Sequence, residues 1–250
     1  MSKFLQGFGF ALLAVGLAAA PATEPSIGHL PSVEIDAANK QVRVDCESLN
    51  ARMPLEFFCV AIGGPEHETV LRTPAKPSDV HFGLLALGLI PGSPAHYDQT
   101  TDTWYPPTGT PLQIECRFML KGQRVTIPAN RLMRSVTTHA EMPPQTWVFD
   151  GSSLLPTGQY AANITGYVVS IVNFDMTMID VPELASNSND TLEWEYNPDI
   201  VPRTGTKVTM IIEPAPPGAA TQPAKTLKGS QFFPGPGLHA DSDTSATPPR

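Results

Sequence analysis

LQIECRFML, residues 112–120, alternates apolar and polar side chains from Leu112 to Phe118. Leu112, Ile114, Cys116 and Phe118 fall on one side, and Gln113, Glu115 and Arg117 on the other. A period of two is the signature of a half-buried strand. Lys121-Gly122-Gln123 turns the chain, and Arg124 to Ile127 returns beside it. Outward from here the β reading continues. Val33–Asp36 and Gln41–Val44 alternate around Asn39-Lys40 as a hairpin, and His67–Thr73 alternates again. Leu55–Ile62 (LEFFCVAI) is almost wholly apolar between Pro54 and Gly63-Gly64, which predicts a strand buried on both faces. Trp147–Phe149, Tyr167–Asn173, Leu192–Tyr196 and Val208–Glu213 are further strands. The expected fold class is therefore α+β: a mainly antiparallel, β-rich single domain.

One helix stands out. Ser78 is placed to cap it and Asp79 suits the positive end of its dipole. Gly88, Pro91 and Gly92 stop it, which gives a helix over about 78–89. Val80, Leu84 and Leu87 share a face, while Phe82, Leu85 and Leu89 extend the apolar surface almost all round. Such a helix is expected to be buried. Asn130–Val136 reads as a short helical turn, and Ser93–Thr110 as a long loop carrying Tyr97, Trp104 and Tyr105. The pattern P-x-T-G-T-x recurs at Pro106–Pro111 and Pro202–Lys207, each time before a strand, and reads as shared turn chemistry.

With 27 prolines in 250 residues, about twice the ~5 % norm, long helices and coiled coils are excluded. Eight of the prolines fall in residues 214–250, where few large apolar residues occur, so this stretch reads as a disordered Pro/Gly-rich tail. The net charge of −8 and the scatter of Lys and Arg argue against a nucleic-acid partner. Lys3, the apolar run Phe8–Ala20 and Ala20-Pro21-Ala22 read as an export signal over residues 1–22, with Thr23 as first mature residue, opening a short lead over residues 23–32. The alternative is a retained anchor, for which the 17 residues Phe4–Ala20 are short. Export to the periplasm or outside the cell is the expectation, with no membrane span after cleavage.

Export permits disulfides. Cys46 and Cys59 lie on two candidate hairpin arms and form the disulfide candidate, and Cys116 reads as a buried thiol. Phosphate-cradling GxxxxGK[ST] and nucleophile-elbow GxSxG patterns are absent. His67-Glu68 opens like a zinc-protease helix, but Leu71 stands where the second histidine belongs. His67, Glu68 and His81 remain the candidate set for a divalent metal or an acid–base pair, against purely structural roles. No other cofactor is expected. Asp150 and Ser152, in Asp150-Gly151-Ser152-Ser153, form a candidate binding loop or an ordinary Asx turn. Tyr97, Trp104 and Tyr105 suit an aromatic sugar-binding surface or the loop's own mini-core.

Five segments occur in a familiar order: LEFFCVAIGGPEHETVL (55–71), KPSDVHFGLLALGLIPGSP (76–94), PPTGTPLQIECRF (106–118), WVFDGS (147–152) and VSIVNFDMTMIDVP (169–182). Together they resemble the YdjY-like domain family of exported bacterial proteins, over roughly residues 33–213. The resemblance implies a secreted or periplasmic domain without an established activity. It carries over no catalytic residue; its matched polar positions are Glu66, His67, Glu68, His81, Trp147, Gly151 and Ser152. The expected function is a non-catalytic envelope domain that binds a ligand or protein partner through His67, Glu68, His81, Asp150 and Ser152. The rival is a metal-dependent hydrolase using His67, Glu68 and His81.

Overall fold

The computed structural model describes residues 27–51, 53–219 and 225–229. The export segment 1–22 and most of the expected tail lie outside them. In chain order, a hairpin of β1 (Ile27–Leu30) and β2 (Val33–Asp36) leads into β3 (Gln41–Ser48), then β4 (Phe57–Ala61) and β5 (Thr69–Thr73). Helix α1 (Pro77–Ala86) precedes the short pair β6 (His96–Asp98) and β7 (Thr103–Tyr105). The long hairpin β8 (Thr110–Leu120) and β9 (Gln123–Pro128) is followed by β10 (Met133–Ser135) and β11 (Trp147–Phe149). Helix α2 (Ala161–Thr165), β12 (Tyr167–Ser170), β13 (Ile179–Asp180), β14 (Trp194–Tyr196), β15 (Lys207–Pro214) and β16 (Leu227–Lys228) complete the chain.

Eight strands close a barrel in the order β3-β15-β8-β11-β13-β12-β4-β5, with β5 returning to β3. Six of the pairings are antiparallel, whereas β4–β5 and β12–β13 are parallel. The mainly antiparallel expectation thus fits six of the eight pairings, and the two parallel ones make the barrel mixed. The chain crosses from β4 to β5 through a 3-10 turn rather than a hairpin, and that connection admits parallel pairing. Closure leaves the barrel strands without a free edge, as the apolar run of β4 demands. Leu112, Ile114, Cys116 and Phe118 are buried as their alternation predicts and share one core cluster with Phe58, Trp147, Phe149 and Met210.

The helix differs from its expectation in length and burial. It runs Pro77–Ala86 and ends at Leu87, with Gly88 at φ +79°. Pro77, Val80, Gly83 and Leu84 are buried, but Phe82 is 56 % and Leu85 44 % exposed. One side of α1 rests on the barrel end, where a Cβ at Gly83 would meet Val42 and Ile35 at 3.1–3.4 Å. Ser78 is inside the helix rather than its cap. The cap comes from α2: Asn163 Oδ1 accepts the Ser78 N–H at 2.9 Å, and Asn163 Nδ2 donates to Ser78 Oγ at 3.1 Å. An Asn163→Ala variant is expected to lose about 1 kcal/mol, the usual worth of a cap. Thermal unfolding should show a midpoint lower by about 2–4 °C.

Other expectations shift with the local chemistry. Part of the 93–110 loop is a hairpin, because Asp98 accepts the Thr100 N–H and the Thr100 and Thr101 hydroxyls and so builds its turn. The helical turn at 130–136 is a 3-10 turn over Ala129–Leu132 followed by β10. Within the stretch read as tail, β16 pairs with β7. The two P-x-T-G-T-x turns also differ. Gly205 has an open surrounding at φ +80°, while Gly109, at φ +146°, lies so close to Phe149 that a Cβ would stand 1.9 Å from its carbonyl oxygen.

Candidate functional site

His81 leaves α1 on the flank beside its buried stripe and meets the turn after β11. Its ring stands edge-on to Phe149 and Tyr160, at centroid distances of 4.9 and 5.4 Å. Nδ1 is 2.8 Å from the Tyr160 hydroxyl, which donates to the Gly151 carbonyl at 3.1 Å. With its proton so committed, the tyrosine oxygen accepts from His81 Nδ1–H. Burial lowers the His81 pKa from its ordinary value, so the ring is neutral at pH 7. Burial likewise raises the Tyr160 phenol, aided by the nearby Asp150 charge.

The turn itself is tight. Gly151 and Ser152 both have positive φ, +89° and +61°. A Cβ on Gly151 would meet Pro91 Cβ at 2.6 Å, so only glycine lets the segment after α1 approach. Asp150 Oδ1 accepts the Ser152 N–H at 3.1 Å, and Ser152 Oγ donates to Met176 O at 2.7 Å. Asp150 is buried and Ser152 half-buried. Burial, then the charge of Asp180, pushes the Asp150 carboxyl well above the usual range. Asp180 is raised to about 7 by burial, against hydrogen bonds from Asn173, Ser170 and the Val181 N–H.

The structure therefore brings His81 to the Asp150–Ser152 turn. His67 and Glu68 belong to another network, in the 3-10 turn Glu66–Glu68. His67 is exposed, with Nε2 3.5 Å from Glu68 Oε1. Glu68 pairs with Glu56, whose carboxyl is raised to about 8 by burial, then by the charge and hydrogen bond of Glu68. The nearby cation Arg72 is bound by Glu66 and Glu47 instead. Among the described residues no three His, Cys, Asp or Glu side chains form a metal-ligand group. Cys46 and Cys59, the disulfide candidate, meet in the core with Sγ atoms 4.0 Å apart and unbonded; Cys116 is buried nearby. Tyr97 packs on Trp104 and His96 on Tyr105 within the β6–β7 hairpin, so these rings pack on one another.

Exposed apolar side chains stand on the elements that carry His81 and Tyr160 and on segments adjoining them. Phe82 and Leu85 are on α1, Ile90 follows it, Ile164 is on α2, Leu154 bridges to Tyr160, and Ile62 follows β4, whose Ala61 N–H bonds the Gly166 carbonyl. These are six of the eight exposed large hydrophobic residues among the described residues. Sequence reasoning did not find Tyr160, Asp180, Glu56 or the exposure of Phe82. An acid inside an apolar run, as in PLEFF and MIDVP, is the signal that marks Glu56 and Asp180.

Fold and site together define a closed, mixed β-barrel domain whose end is covered by a helix with an uncovered apolar side. The model of the YdjY domain family matches residues 33–213, and the chain belongs to that family. No curated protein and no solved structure matches it. No helix among the described residues is long and apolar enough to cross a membrane.

Proposed function

We propose that this chain is an exported bacterial envelope domain that binds a protein partner without catalysis, and that the α1 end of the barrel is the contact face. The observation that carries this reading is the concentration of exposed apolar side chains there, which marks interaction sites on soluble proteins. The partner is a protein presenting an apolar helix. Phe82, Leu85 and Ala86 stand at i, i+3 and i+4 on the open side of α1, the spacing that a second helix reads, and Ala86 permits close approach. The Tyr160–His81 pair supplies a half-buried polar spot beside this stripe. The hydrolase reading receives no common site, since His67 and His81 hold different partners.

A photo-reactive residue in place of Phe82 tests this in the native envelope. One discrete protein adduct is expected from position 82 and none from Met119, an exposed apolar residue on β8. Equal labelling from both positions, or no adduct from position 82 in a folded variant, would overturn the reading.

A further inference from the structure

Away from α1, the outer face of β2, β3, β15 and β8 holds a polar cavity of about 320 Å³, walled on one side by the β1–β2 hairpin. Arg43 and Asp45 alternate along β3 with the buried Val42 and Val44, so they stand on the face of the strand that α1 does not cover. Across the sheet, Thr209 of β15 is opposite both Asp45 of β3 and Arg117 of β8. Asp45 and Arg117 therefore flank Thr209 with two strand spacings, about 10 Å, between their backbones. All three line the cavity, and the Asp45 N–H pins its wall by donating to the Ser32 carbonyl at 2.9 Å. Glu34 and Arg43 line it too, but they neutralise each other: the Arg43 guanidinium is committed to Glu34, to Asp36 at 2.6 Å and to Gln41 Oε1 at 2.9 Å. Arg117 makes one hydrogen bond, from Nε to Thr126 Oγ1 at 3.2 Å, on the side of β8 away from Asp45. Glu115, two residues along β8 from Arg117, lines a different cavity. Among the described residues neither Arg117 nor Asp45 forms an ion pair.

The cavity thus presents one cation and one anion, each without a counter-charge, on either side of a hydroxyl. A lone anion would be drawn by Arg117 and repelled by Asp45, and a lone cation the reverse. A ligand that carries both charges meets both. The Thr209 and Ser32 hydroxyls and the His29 ring add hydrogen-bonding groups, and Leu30 adds an apolar wall. The volume is at the small end of the roughly 300–1,000 Å³ of ligand sites. We propose that this cavity binds a small zwitterion, an α-amino acid or a short peptide, with Arg117 holding the carboxylate and Asp45 the ammonium. A guanidinium with both terminal nitrogens free is built for bidentate capture of a carboxylate. The site is separate from the α1 face and does not rest on the partner reading.

The test titrates the isotope-labelled full chain with L-alanine and with L-alanyl-L-alanine, and follows the amide resonances of Asp45 and Thr209 by NMR. Saturable shifts with a Kd of about 1 mM or tighter are expected from at least one probe, and the tighter of the two tells a free amino acid from a peptide. N-acetylalanine, which lacks the ammonium, and alaninamide, which lacks the carboxylate, should bind about tenfold more weakly or worse. Arg117→Gln and Asp45→Asn should each weaken binding by about tenfold or more, the loss of one charge-assisted contact. Neither side chain is buried, so both variants should unfold at the wild-type midpoint. Arg124→Gln, on β9 and outside the cavity, should bind as the wild type does. The proposal is overturned if neither probe gives a saturable shift, or if the single-charge analogues bind as well as the zwitterion. It is overturned as well if folded Arg117→Gln or Asp45→Asn binds like wild type, or if Arg124→Gln weakens binding as much as they do.

Discussion

Gly109→Ala is expected to leave little folded protein at physiological temperature. Gly109 precedes β8 at φ +146°, and an added Cβ would lie 1.9 Å from the Phe149 carbonyl oxygen and 3.1 Å from the Gly92 nitrogen. Both obstacles are backbone, so no rotamer change relieves them. The Phe149 oxygen also accepts the Gly92 N–H at 3.0 Å, and Phe149 pairs with Thr110 in the barrel. Relief therefore means parting β8 from β11 and freeing the segment after α1. A cost of about 4 kcal/mol or more follows, at the upper end for a single substitution and a large share of a typical domain's stability. Gly205→Ala is the control. Its neighbourhood is open, and only the left-handed φ of +80° opposes alanine, for about 1 kcal/mol. Denaturant titration of the pair should separate them widely; equal midpoints would refute the close-approach argument.

The second large effect is a loss of stability as the pH rises from about 5 to 8. Glu56 is raised to about 8, and Asp150 and Asp180 are raised as well, all mainly by burial. Above about pH 5 the unfolded chain has released these protons, while the folded chain holds them until the pH reaches the raised values, about 7 for Asp180 and about 8 for Glu56. A raised carboxyl stabilises fully below its unfolded pKa, near 4, and that contribution is lost as pH climbs through the folded value. Asp36, Glu66 and Asp98, shifted downward, act below this interval; His81, lowered by burial, acts within it with the opposite sign, one group against the three raised acids. The unfolding midpoint should fall by roughly 5 °C between pH 5 and pH 8. Glu56→Gln keeps the hydrogen bond to Glu68 without the titration and should flatten the upper part of the profile. A midpoint that rises with pH in wild-type protein would contradict the assignment.

Much of the candidate site was legible as residue types without being legible as a place. His81, Asp150 and Ser152 stand out in the chain, and the structure joins them through Tyr160 and Gly151. His67 and Glu68 stand out equally, yet their partner is Glu56, from the start of β4. Tyr160 carries no local signal, because its role depends on α1 lying 79 residues earlier in the chain and packed against it. Asp180 pairs with Asp150 only through the register of β11 on β13.

By itself the sequence determined the strands with a two-residue period, because alternation records which face of a sheet meets the core. Leu112 to Phe118 could be oriented from that pattern alone, and the stop of α1 near Gly88 was readable to within a turn. Tertiary structure alone decided strand order, the two parallel pairings and barrel closure, since local pattern carries no information about partners distant in the chain. It also decided which side of α1 is buried. A helix apolar nearly all round has no preferred face, so the barrel end selects Val80, Gly83 and Leu84 and leaves Phe82 and Leu85 open. The face on which the proposed function rests is thus set by packing geometry, through the fit of Gly83 against Val42 and Ile35.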